Sequence, residues 1–148
     1  MIKEILATVS LLSVTGIFAQ DGLTIRKLAT DNATKSVFHQ MAKGHQLPIW
    51  VMVGGTNAPV QAVTLNNKIY QIISACKPHD CASEQMAVIY SPDNNDMSGL
   101  YSVVDEKNGQ QTLEWLNIND ELSIDGKTVL FAALSGSLEN HPDAFNFK

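Results

Sequence analysis

From Pro48 to Ile118 the apolar residues fall in short β-branched and aromatic runs broken by polar turns; on either side they recur at helical spacing. IWVMV (49–53) ends at Gly54-Gly55 and reads as a strand. QAVTL (61–65) and KIYQIISA (68–75) flank Asn66-Asn67, which reads as a tight turn. QMAVIYS (85–91), GLYSVV (99–104) and QTLEWLNI (111–118) follow, separated by the turn-rich PDNNDMS and DEKNG. Asn108-Gly109 is the stronger hairpin signal of the set. Strands joined by such short turns are antiparallel neighbours, because parallel neighbours need long crossovers. The pattern predicts an antiparallel meander of about five strands.

Asp31-Asn32 read as a helix start, with Ala33, Val37, Phe38, Met41 and Ala42 at helical spacing and Gly44 where a C-terminal cap belongs. Leu23 to Ala29 reads as a short helical turn. In DGKTVLFAALSGSL, Asp125 is a candidate N-cap, and Val129, Leu130, Ala133, Leu134 and Leu138 fall on one face, with Gly136 near the end. The rival reading of VLFAAL is a strand. Phe145 and Phe147 in the tail are expected to pack back onto the domain. The fold class expected is α+β: a single domain, one antiparallel sheet with flanking helices.

The first residues change the chemical context. MIKEILATVSLLSVTGIFAQ runs uncharged from Ile5 to Phe18, shorter than the roughly 20 apolar residues of a membrane span. It reads as a signal peptide, residues 1–19, cut near Ala19-Gln20, with the domain over 20–148. Export to the periplasm places cysteines in an oxidising compartment. The net charge is −5, and Lys3 and Glu4 cancel, so cleavage leaves it unchanged. An acidic exported chain is a poor partner for nucleic acid or an anionic membrane and suits a basic protein.

Cys76 and Cys81, the only two cysteines, bracket Lys77-Pro78-His79-Asp80 at the tip between two predicted strands. Three chemistries suit them. A redox pair prefers Cys-x-x-Cys at a helix N-terminus; here four residues intervene and a strand follows. A metal clip of Cys76, His79 and Cys81 wants a fourth ligand or water, and His39, His45 and His141 are scattered. A disulfide closing these six residues removes chain entropy worth roughly 2 kcal/mol. Pro78 stiffens that ring further, and a rigid loop binds with little ordering cost. The plain alternative is a staple with solvated residues inside it. Elsewhere, His39 reads as a surface or half-buried residue and His45 and His141 as structural. Asp93 and Asp96 read as a solvated turn rather than a calcium site, and Trp50 and Trp115 as core. Asn32-Ala33-Thr34 is a glycosylation sequon by pattern alone.

CKPHDC (76–81), with HQLPIWVM (45–52), DEK (105–107) and SIDGKTVLFAALSGSLENHPDAFNFK (123–148), closely resembles the Ivy family of inhibitors of vertebrate (c-type) lysozyme. CKPHDC matches that family's signature loop at all six positions, and the resemblance covers essentially the whole chain after the signal-like segment. It implies a periplasmic inhibitor, not an enzyme, with no cofactor. The partner implied is c-type lysozyme, a basic protein, and a homodimer is implied as well. His79 would enter the active-site cleft, Lys77 and Asp80 would orient the loop or pair with the cleft walls, and Pro78 would hold its shape. The alternative function is a periplasmic thiol–disulfide redox protein using Cys76 and Cys81; a third is an envelope-binding module with no lysozyme target.

Overall fold

The computed structural model describes residues 22–148. The predicted signal peptide, 1–19, lies outside the described residues. Three short helices come first: α1 (Ile25–Thr30), α2 (Lys35–Met41) and α3 (Trp50–Val53). Six strands follow: β1 (Thr56–Asn57), β2 (Gln61–Leu65), β3 (Lys68–Cys76), β4 (Glu84–Ser91), β5 (Asp96–Val104) and β6 (Gln111–Leu116). Then come α4 (Asp125–Ser135) and α5 (Ser137–Asn140), with 3-10 turns at Asp120–Leu122 and Pro142–Phe145.

All strand pairs are antiparallel, in the order β1-β3-β4-β5-β6, and β2 pairs β3 beside β1. The meander is therefore as expected, with the two-residue β1 added. Pro59 lies between β1 and β2 and has no N–H to donate, so the ladder breaks there. Asn66 and Asn67 take φ of 55° and 66°, the two left-handed residues of a tight hairpin turn. The chain end closes the outer edge: the Phe147 N–H donates to Thr64 O at 2.9 Å, and the Asn66 N–H to Phe147 O at 2.8 Å.

Period-two alternation splits the sheet into two apolar faces. On one, Ile73, Ala75, Met86, Val88, Tyr90, Met97 and Tyr101 pack against α1, α2 and α3 through Ile25, Leu28, Phe38, Met41, Trp50 and Val51. On the other, Val63, Leu65, Tyr70, Ile72, Ala87, Ile89 and Leu100 meet Val129, Leu130, Ala132 and Leu138, with Trp115, Phe145 and Phe147 packed at the rim. The class is α+β, one domain with helices on both faces of the sheet.

Five readings are corrected. IWVMV is not a strand: Trp50–Val53 is helical. A five-residue apolar run does not reveal its period. Here Trp50 and Val51 are buried while Ile49, Met52 and Val53 face out, a one-sided pattern that a single helical turn provides. Gly54, at φ 126°, ends it by donating to Trp50 O at 2.8 Å. Asp125 is the first helical residue rather than the cap, and Ile124 precedes it without a side-chain cap bond. β5 begins at Asp96, three residues before the expected Gly99, and β6 ends at Leu116 where Asn117 turns at φ 53°. The helix expected from Asp31 begins at Lys35, after a turn.

Candidate functional site

The CKPHDC loop leaves β3 at its last residue, Cys76, which pairs with Gln85 of β4. Across the neck the Lys77 N–H donates to Glu84 O at 3.0 Å. The next four residues form one turn: the Asp80 N–H donates to Lys77 O at 3.1 Å, Pro78 is second, and His79 is third with φ 62°. Proline second and a positive φ third are the marks of a type II turn. Histidine tolerates the left-handed region better than a β-branched residue does. The Cys76–Cys81 disulfide closes the ring with Cα atoms 4.8 Å apart. Behind it, the Ser83 N–H and Oγ both donate to Asp80 O, at 3.1 and 3.2 Å, and the Val104 N–H donates to Ser83 O at 2.8 Å.

The ring therefore presents His79 at its apex. The imidazole is exposed and makes no side-chain hydrogen bond among the described residues. Lys77 turns back toward the body, with Nζ 3.4 Å from Glu84 Oε2 and 3.8 Å from Asp80 Oδ2. Glu84 Oε1 accepts from Trp50 Nε1 at 3.0 Å and from Tyr101 Oη at 2.7 Å. Burial pulls the Glu84 carboxyl upward, but the bonds from Tyr101, Trp50 and Lys77 outweigh it and hold the acid below its ordinary value. Burial, then the bond to Glu84, raises the Tyr101 phenol well above the usual range. Bonds from Ser83 and Glu106 lower Asp80, while Glu106, facing the Asp80 carboxylate, is raised.

Gly55 completes the neck. A Cβ there would lie 2.7 Å from Cys76 O and 2.8 Å from the Trp50 ring, so only glycine fits between α3 and the root of the loop.

Lys77, Pro78, His79 and Asp80 are thus gathered in one rigid turn, and Cys76 and Cys81 are joined. With both sulfurs bonded to each other, neither is a thiolate ligand for a metal, and Cys76 ends a strand rather than opening a helix. His39 is exposed, and His45 is structural, its Nδ1 2.7 Å from Glu114 Oε1. Trp50 is core, whereas Trp115 is half-buried with Lys127 Nζ 5.2 Å from its ring centre. Sequence reasoning missed Glu84, Tyr101, Glu106 and Gly55. Glu84 carried one legible signal: it stands in phase with the inward-facing Met86, Val88 and Tyr90.

A family model described as inhibitor of vertebrate lysozyme (Ivy) matches residues 33–121, which include the whole loop. A protein of Escherichia coli (strain K12) named inhibitor of vertebrate lysozyme is 59% identical over 148 residues, covering 100% of this chain and 94% of that protein. The protein of that name from Escherichia coli O157:H7 matches to the same extent. One from Pseudomonas aeruginosa is 33% identical over 68 residues, 45% of this chain and 44% of its own. A match along the full chain, together with a family model that covers residues 33–121, means that this protein belongs to the inhibitor of vertebrate lysozyme (Ivy) family.

Proposed function

We propose that this protein inhibits c-type lysozyme by inserting the Cys76–Cys81 loop into the active-site cleft. The observation that carries the reading is the exposed His79 at the apex of a covalently closed type II turn. Lysozyme cleaves glycosidic bonds with two carboxyl groups, one kept protonated as the acid and one ionised. An imidazole set between them gains a proton and donates from both ring nitrogens in charge-assisted bonds. The ring has few conformers to lose on binding. Lys77 and Asp80 orient the turn from within, and the net charge of −5 steers the body toward a basic partner.

The protein acts in the periplasm after cleavage near Ala19-Gln20, where it shields peptidoglycan. The family further implies a homodimer, which sedimentation reads directly. The test of function is lysis of a peptidoglycan suspension by a c-type lysozyme with rising amounts of the protein. Stoichiometric loss of lysis is expected. Undiminished lysis by folded protein overturns the proposal.

A further inference from the structure

Glu84 opens β4 on the face that carries Met86, Val88 and Tyr90 into the core, yet it is a carboxylate with its side chain only 18% exposed. A charge in such a place is costly unless its oxygens are satisfied. They are, and the partners divide. One oxygen takes two neutral donors, the Trp50 indole at 3.0 Å and the Tyr101 phenol at 2.7 Å. The other faces the Lys77 ammonium at 3.4 Å, and the Glu84 main-chain carbonyl accepts the Lys77 N–H at 3.0 Å.

Lys77, the first residue of the turn, is thereby gripped at both backbone and side chain by one residue, itself tied to α3 and β5. The neutral donors would be served as well by an amide oxygen; only Lys77 needs the charge. We propose that Glu84 is a positioning residue for the loop: through Lys77 it fixes the direction in which His79 is presented. The inference rests on the reading that this loop engages lysozyme. Glu84 itself touches no partner in it.

The experiment uses Glu84→Gln, which keeps the acceptor for Trp50 and Tyr101 and removes the charge, and Lys77→Met, which leaves Glu84 in place. Two readouts are taken: dissociation rate from a c-type lysozyme, and backbone 15N order parameters at Lys77, His79 and Asp80 in the free protein. Each variant should still unfold in one cooperative transition, at a somewhat lower midpoint, because each removes part of what favours the ionised Glu84 in the fold. Each should dissociate roughly tenfold faster, with lowered order parameters at Lys77 and His79. The double variant should be no worse than either single one, because both break one interaction. Unchanged dissociation and order parameters in Glu84→Gln, or single effects that multiply in the double variant, overturn the role. An unaltered protein that fails to bind lysozyme overturns the proposed function instead, and the order parameters still decide whether Glu84 holds the loop.

Discussion

Opening the Cys76–Cys81 ring separates two roles that a disulfide can have. Cys76 is buried and Cys81 exposed, so the suitable variant is Cys76→Ala with Cys81→Ser, which puts no hydroxyl into the core. The bridge spans a sequence separation of 5. On the chain-entropy model a ring that small restrains the unfolded chain by roughly 2 kcal/mol. For a domain of this length that is a fall in Tm of roughly 8 °C. The sheet itself should persist, because the Lys77–Glu84, Asp80–Lys77 and Ser83–Asp80 backbone bonds do not depend on sulfur. Binding should suffer separately. If the open loop regains the backbone freedom of a single residue, about 1–2 kcal/mol must be spent to order it again, which is roughly tenfold in Kd. Urea unfolding followed by circular dichroism gives the first quantity, and titration of lysozyme inhibition the second. Loss of the cooperative transition would show that the bridge holds the fold. Unchanged inhibition would show that a closed ring is no part of the mechanism.

His79→Ala should fold as the unaltered protein does, since both residues bear the same left-handed φ. It should weaken lysozyme binding by roughly 2–5 kcal/mol, the range for losing one partner of a buried charged contact; equal inhibition would remove His79 from the mechanism. Gly55→Ala forces a methyl against Cys76 O and the Trp50 ring, and should lower stability by roughly 1–3 kcal/mol in chemical denaturation. A neutral result would mean that the neck gives way. The raised acid of Glu106 means that the folded state binds its proton more tightly than the unfolded chain does, so the ionised form detracts from stability as pH climbs past the ordinary 4.5. Glu106→Gln should therefore match the unaltered protein in Tm at acid pH and exceed it at neutral pH, and parallel Tm curves would refute the contact with Asp80.

The sheet was legible because its signals are local. Alternation over residues 61–75 and the Asn66-Asn67 pair define a hairpin without reference to the rest of the chain. The departures occur where tertiary context decides. Ile49 to Val53 is too short to show a period, and its helical turn is set by where Trp50 can be buried. β1 has two residues and exists because β3 runs on past β2 to reach Cys76. Asp96 and Ser98 look like turn residues, yet β4 holds them in strand register. The loop was readable because its chemistry is contiguous. Its support was not, because Glu84 finds Trp50 and Tyr101 at sequence separations of 34 and 17.

The ring also makes the loop a cassette. Its two sulfur-bearing residues stand 4.8 Å apart at Cα, and the chain enters and leaves through adjacent antiparallel strands, a geometry that any hairpin of matching register offers. A six-residue insert of this kind carries its own turn, its own cross-link and its own apex. The body adds the Glu84 contacts to Lys77, the Val104 bond to Ser83 O and the close seat at Gly55. Transplanted with a glutamate at the Glu84 register, the segment could display residues other than histidine at position 79, chosen among those that accept a left-handed backbone. The turn is then separable from its scaffold, and if it is the inhibitory unit proposed above, libraries built at that apex extend its reach to other clefts lined by paired carboxylates.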